Sequence, residues 1–159
     1  MTQPLEALGK RFSFNSRLLA LATEGFEDQH WSFRPETGGN SALWILGHVA
    51  SARRGMLRMI GETVEEDEWE KGFRRGAQPE DASYLPAADF VREFHSTGEA
   101  LAAGLAALSE EVANSPSPRE FPDGSKTIGD ALHFLYFHET YHLGQIGLLR
   151  RLAGLDGFI

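Results

Sequence analysis

Apolar side chains recur along this chain at intervals of three and four residues, which is the spacing of amphipathic helices. Glycine, proline and capping residues separate the periodic stretches. Four helical segments are predicted: from Leu5 to Asp28, from the cap at Asn40 or Ser41 to Ile60, from near Pro86 to the break at Asn114–Pro116, and from the Thr127 cap to about Ala153. No stretch reads as a pair of strands. The pattern predicts an all-α fold, a four-helix bundle in a single domain spanning residues 1–159.

One connection, between the second and third predicted helices, is much longer than the others. Residues 62–85 show no sustained period, and they include the acidic run Glu65–Glu68. An acidic run is usually a solvated surface, but long connections are uncommon in compact domains. This segment could therefore be a plain loop, a lid, a crossover or a surface for a partner.

Charge narrows the classes of partner. The 159 residues carry 15 Lys and Arg against 23 Asp and Glu, a formal net charge of -8. Nucleic acids and anionic membranes require clustered basic residues, so neither partner is expected. The first residues lack the basic start and apolar run of a signal peptide, and no stretch approaches the roughly 18 apolar residues of a membrane span. We therefore expect a cytoplasmic protein.

Histidines are the main candidates for chemistry, because the chain has no cysteine and six histidines. His138 and His142 lie one turn apart on the core face of the fourth predicted helix, and His48 lies on the apolar stripe of the second. Three imidazoles are costly to bury unless something pairs them, and a divalent cation does so. We predict a metal site at these three. Surface or capping roles are expected for the others: His30, His95 and His133.

Glu139 completes an H-E-x-x-H pattern between His138 and His142, in which it would be the general base of a zinc protease. The only acid that follows is Asp156, and no strand edge is predicted that could hold an extended peptide. The protease is therefore disfavoured. Glu139 could instead act as a base beside the metal, orient a ligand, or form an ordinary salt bridge, which is the simplest role.

Ligating histidines usually donate their second ring N–H to an oxygen. Asn15, Tyr141 and Gln145 lie on faces that make them candidates for such second contacts around the metal. Gln145 could alternatively meet a bound water. Each of the three could also do no more than complete an ordinary contact between helices.

Two stretches together resemble the DinB-like, or YfiT-like, metalloenzyme family: Ser41–His48, which ends in Gly-His, and His138–Ile146, which contains the histidine pair and Gly-Gln. Trp31 and Arg34–Pro35 in the first loop are also in keeping, and the resemblance covers nearly the whole chain. It implies a four-helix bundle that holds a divalent metal, often zinc or nickel, through His48 of the second helix and the pair of the fourth.

The same resemblance implies an enzyme acting on a small molecule. Characterised relatives include thiol S-transferases that use bacillithiol or glutathione-like cofactors, and a mycothiol-dependent maleylpyruvate isomerase. We therefore expect metal-dependent thiol transfer with a low-molecular-weight thiol as cosubstrate, or a related isomerase or hydrolytic reaction.

The alternative is a bundle that binds metal or associates without catalysis. Phe134, Phe137, Leu148 and the first helix offer more apolar surface than one small bundle needs, which leads us to expect a homodimer.

Overall fold

The computed structural model describes residues 5–74, 76–79, 82 and 84–159. Within these ranges all the regular secondary structure is helical. The described residues form no extended strand, and an isolated β-bridge joins Pro116 and Thr127. The helices are α1 Leu5–Ala22, α2 Asp28–Ser32, α3 Ala42–Met59, α4 Ala87–Ala107, α5 Glu110–Asn114 and α6 Ile128–Leu152, with a 3-10 helix at Glu68–Phe73. The predicted all-α class is confirmed.

The longest helices of the described chain, α1, α3, α4 and α6, form a four-helix bundle. Both α1 and α3 pack against α4 and against α6, so helices that follow each other along the chain do not simply lie side by side around the bundle. This packing brings the inner faces of α3 and α6 together. No helix in the described ranges has the length and apolar character needed to cross a bilayer.

Two predicted helices are shorter than their apolar patterns suggested. The first ends at Ala22 rather than at Asp28, because Gly25 has a φ of 76° and turns the chain before α2 begins. The third ends at Ala107, and the Ser109 hydroxyl then accepts a hydrogen bond from the Val112 N–H and starts the separate helix α5. The apolar period continues across both breaks because Phe26, Leu108 and Val112 still pack, partly buried, against the core.

The long connection between α3 and α4 is partly exposed to solvent and partly buried in the core. Its acidic run, Glu65–Glu68, is exposed as expected, but the 3-10 helix that follows buries Trp69 and Phe73 against the bundle. Glu70 is buried as well and accepts hydrogen bonds from Arg54 and Arg58 of α3. These contacts fix the segment against α3. Residues 75, 80, 81 and 83 of the predicted connection lie outside the described ranges.

The bundle interior holds two clusters of apolar side chains. One includes Trp44, Phe73 and Phe94, and the other includes Phe12 and Leu132. A buried polar network touches both clusters, because the guanidinium of Arg53 donates to the main-chain carbonyls of Phe94 and Phe12. The core is therefore interrupted by fully buried polar groups at mid-bundle.

Candidate metal centre

The structure brings the three predicted histidines together. His48 of α3 faces His138 and His142 of α6, and their ligand atoms lie within 4.8 Å of one another. The Nε2 atom of His138 is 3.1 Å from Nε2 of His48 and 3.2 Å from Nε2 of His142. All three rings therefore direct the same nitrogen at one point.

Hydrogen bonds at the opposite ring nitrogens fix the protonation of two of these rings. Nδ1 of His48 lies 2.7 Å from the carbonyl oxygen of Phe73, and Nδ1 of His142 lies 2.7 Å from Oε1 of Gln145. Both oxygens are acceptors, so each Nδ1 carries the proton and donates it. In a neutral imidazole this leaves Nε2 as a lone pair. Two lone pairs consequently point at Nε2 of His138.

The third ring cannot satisfy both lone pairs. A neutral His138 protonated at Nε2 can donate to one partner only, and its buried Nδ1 has no hydrogen-bond partner in the described part of the chain. Two nitrogen ligands of a tetrahedral zinc, each 2.0 to 2.1 Å from it, lie roughly 3.3 Å apart. The observed spacings of 3.1 and 3.2 Å are close to that value. The donor set thus fits a divalent cation.

The ring of His48 is held by a stacked indole and by a main-chain carbonyl. Trp44 stacks on it with ring centres 5.0 Å apart and planes at 10°. The carbonyl that fixes its Nδ1 comes from Phe73, whose ring lies against Gly47, where any Cβ would overlap it. Glycine at this position therefore allows the 3-10 helix to reach His48. This explains the Gly-His pair in the sequence motif.

Burial keeps the cluster uncharged at neutral pH. It is the largest cause of a lowered pKa in all three rings. Together with the charges of the neighbouring histidines it lowers the pKa of His138 to about 3, and burial with the charge of His48 lowers that of His142 to about 4. Neutral imidazoles are the form that binds a metal, so the ligands need no deprotonation at pH 7.

Glu139 belongs to a different cluster. Its side chain is only 1% exposed, and its two carboxylate oxygens accept from Nε and Nη2 of Arg53 at 2.7 and 2.8 Å. Asn15 donates to the same carboxylate at 2.9 Å. In the described structure Glu139 has no hydrogen bond with the three histidines and does not line the cavity beside them. Of its predicted roles, the salt bridge is the one the structure shows.

The three residues expected around the ligands have different surroundings. Gln145 contacts His142, and its amide nitrogen donates to the Tyr141 hydroxyl at 3.2 Å. Tyr141 is mostly exposed, and its ring lies 5.3 Å from that of His142. Asn15 instead donates to Glu139 and Thr140. Gln145 and Tyr141 therefore adjoin the histidine cluster, whereas Asn15 supports the ion pair of Glu139.

The other histidines do not join the cluster. His30 accepts a hydrogen bond from the Glu27 N–H at the start of α2, the capping role that was predicted for such residues. His95 and His133 are half-buried on α4 and α6.

Two important residues were not among the sequence candidates. The Phe73 carbonyl is a main-chain group and leaves no sequence signal. Arg53 could have been found, since it lies on the buried stripe of α3 with Val49, Met56 and Leu57.

A cavity of about 1100 Å³ opens beside His48 and His138. Aromatic rings form part of its wall, and charged side chains form another part. The lining includes Trp44, Phe73, Phe121, Phe134, Arg58, Arg74, Arg119, Glu66, Glu70 and Glu120. A small molecule held in this space would lie next to the Nε2 atoms.

Known proteins share this arrangement of helices. A family model described as the DinB superfamily matches residues 11–146. Among solved structures, the chain is similar to YfiT from Bacillus subtilis, described as a probable metal-dependent hydrolase with an unusual four-helix bundle topology. The TM-score is 0.70 at 17% sequence identity, and the alignment covers 96% of this chain and 89% of that one. This likeness confirms the four-helix bundle. No curated protein matches the sequence.

Proposed function

The chain belongs to the DinB superfamily, and from that premise we propose that it is a metal-dependent enzyme acting on a small molecule. One observation carries the proposal: three imidazole nitrogens converge beside a cavity of about 1100 Å³. A purely structural metal site is usually closed by four protein ligands, whereas a catalytic one keeps a position open. Three histidines next to a cavity fit the open kind.

Each residue has a definable part in this proposal. His48, His138 and His142 hold the cation through Nε2. The Phe73 carbonyl and the Gln145 amide oxygen keep the protons of His48 and His142 on Nδ1. A divalent cation with three neutral ligands supplies Lewis acidity to a molecule bound beside it. The aromatic walls reduce the contact of that molecule with water.

We propose thiol transfer or hydrolysis as the reaction, with an isomerisation as a related possibility. A thiol would have to come from a cosubstrate of low molecular weight, because the chain contains no cysteine. Hydrolysis is supported by the description of YfiT as a probable metal-dependent hydrolase. Zinc and nickel are the proposed cations, since both bind imidazole nitrogen.

Elemental analysis followed by activity assays tests this proposal. We expect about one equivalent of zinc or nickel in the purified protein, and its loss from a His142→Ala variant. The metal-loaded protein is then assayed with electrophiles plus several small thiols, and with ester and amide substrates without thiol. Turnover in one assay, absent from His142→Ala, would support the enzyme. Stoichiometric metal without turnover in either assay would favour a non-catalytic metal-binding bundle.

A zinc protease of the H-E-x-x-H type receives no support from the geometry. Its general base would be Glu139, whose carboxylate is fully engaged by Arg53 and Asn15. Freeing that carboxylate would leave the buried guanidinium of Arg53 without its counter-charge, at a cost of roughly 3 to 5 kcal/mol. Retained turnover in a Glu139→Gln variant that still binds metal would remove this role altogether.

We also propose that the protein forms a homodimer. Phe137 and Leu148 on α6 are 63% and 58% exposed, which leaves apolar surface uncovered in a single chain. Sedimentation velocity of the wild type and of Leu148→Lys tests this. A monomeric wild type at micromolar concentration would contradict it.

A further inference from the structure

Three arginines line the cavity, and two of them are paired with carboxylates. Arg58 is paired with Glu70, and Arg74 is paired with Glu66. The guanidinium of Arg119 instead lies over the ring of Phe121, with Cζ 4.7 Å from the ring centre, and pairs with no carboxylate in the described part of the chain. It is therefore available to a ligand.

The loop that carries Arg119 is well anchored. The Ser117 hydroxyl donates to the Arg119 carbonyl at 2.8 Å, and the Ser117 N–H donates to the Lys126 carbonyl at 2.8 Å. Phe121 is buried, with its ring 5.5 Å from that of Phe134. A ligand at Arg119 would consequently order one side chain rather than a whole loop, and this lowers the entropic cost of binding.

With a divalent cation held by the three histidines, the charges around the cavity would favour an anion. The pairs of Arg58 with Glu70 and of Arg74 with Glu66 cancel, while three neutral imidazoles would leave the two positive charges of a cation uncompensated. Arg119 lines the same cavity as His48 and His138. Glu120 also lines the cavity, but its single charge does not offset both the cation and Arg119.

We propose that the substrate carries an oxyanion group, either carboxylate or phosphate, on an apolar body, and that Arg119 binds this group. The planar guanidinium matches the two oxygens of such a group, and the aromatic wall suits the apolar body. This inference rests on the proposed function, because it takes the cavity as the substrate site. Arg119 is then a residue that determines specificity, and the three histidines would hold the cation that supplies the Lewis acidity.

The test uses three probes that share a phenyl ring: 3-phenylpropionate, phenyl phosphate and the neutral 3-phenylpropionamide. Calorimetric titration of the wild type is expected to show at least one oxyanion binding about tenfold or more tighter than the amide. In the metal-free protein Arg119→Met should abolish this preference, and Arg119→Lys should retain part of it. The matched control is Arg151→Met, which removes the same charge from the end of α6, away from the cavity lining, and should behave as wild type.

Each titration is run on zinc-loaded and on metal-free protein, because a cation can bind an oxyanion by itself. The oxyanion whose binding is weakened more by Arg119→Met identifies the group that the substrate carries. Equal binding of that oxyanion by wild type and Arg119→Met in the metal-free protein would overturn the inference, as would a wild type without preference. The proposed function fails separately, if the wild type binds no metal or the loaded protein turns nothing over.

Discussion

The same two helices build two polar clusters in this bundle, and the clusters differ in how their hydrogen bonds are satisfied. In the first, Arg53 of α3 meets Glu139 of α6. The five N–H groups of the guanidinium have five acceptors: two oxygens of Glu139, the Ser16 hydroxyl, and the carbonyls of Phe12 and Phe94. The ion pair is fully buried and needs nothing from outside the chain.

The second cluster, of His48, His138 and His142, lies beside the first and has too few N–H protons for its facing ring nitrogens. The lone pairs of His48 and His142 both face the third ring, His138, which can donate to only one of them. The three rings of this cluster are half-buried, and those of His48 and His138 border the cavity. A buried guanidinium whose N–H groups all have acceptors stabilises the fold, whereas imidazole lone pairs left without protons next to open space are suited to a cation.

The difference between the ion-pair cluster and the histidine cluster cannot be predicted from residue type or sequence position alone. His138 and Glu139 are neighbours in sequence, yet a helix rotates successive side chains by about 100°. One therefore points to the cavity side and the other to the interior, where Gly98 leaves room for the guanidinium of Arg53. Adjacent residues of α6 thus belong to different clusters, His138 to the histidine cluster and Glu139 to the buried ion pair.

The largest expected effect comes from removing one half of the buried ion pair. Arg53→Met and Glu139→Leu should each lower the free energy of unfolding by about 3 to 5 kcal/mol, because each leaves a buried charge unpaired. The double variant should lose much less than the sum of the two. Urea unfolding measures all three variants. Losses below about 1 kcal/mol for both single variants would show that the network is not the structural cluster.

Removing a histidine should have the opposite effect: a large loss of zinc affinity and a smaller loss of stability. His48→Ala is expected to lower zinc affinity on the order of 100-fold or more, measured by competition with a chelating dye. The stability of the metal-free protein should fall by only about 1 to 3 kcal/mol, since the main loss is the hydrogen bond from His48 to the Phe73 carbonyl. Comparable metal affinity in the variant and the wild type would make His48 an ordinary core residue and would erase the contrast between the clusters.

The pH dependence of the metal-free protein separates the clusters further. The pKa values of His138 and His142 are about 3 and 4 in the folded protein, against 6.5 for an unperturbed histidine. Between these values the unfolded chain binds more protons than the folded one, so stability falls as the pH falls below about 6.5. Above that pH the two rings should contribute no slope.

Urea unfolding at several pH values between 7 and 4 measures this loss. A variant with both His138→Asn and His142→Asn should lose less stability over the range than the wild type. Parallel curves for the two proteins would mean that these rings do not resist protonation in the folded state.

Much of this organisation could be predicted from the sequence. The apolar period places His48, His138 and His142 on inward faces, and helix geometry then requires them to meet if α3 and α6 are neighbours. The period could not show where α1 stops, because Phe26 continues the apolar stripe past the turn at Gly25. Local backbone conformation decides that boundary.

The partners of Nδ1 were harder to foresee. The helical face made Gln145 a candidate but did not say which histidine it serves, and in the structure the side chain bonds His142. The Phe73 carbonyl comes from a connection without periodicity, 25 residues from His48. Asn15 was placed correctly in the interior, yet it serves the ion pair. Side-chain direction and long-range loop packing determine these contacts, and a spacing pattern contains neither.

The smallest predicted effect concerns Gln145, which connects the metal ligands to the surface. Gln145→Leu removes the acceptor of the His142 Nδ1 proton, so the ring loses its fixed tautomer, and zinc affinity should fall roughly tenfold. The free energy of unfolding without metal should hardly change, because the side chain is partly exposed. Tyr141→Phe is the matched control: it removes only the outer hydroxyl and should leave affinity within about twofold. If Gln145→Leu lowers stability but not zinc affinity, then Gln145 belongs with the structural cluster, and the division between the two clusters is drawn in the wrong place.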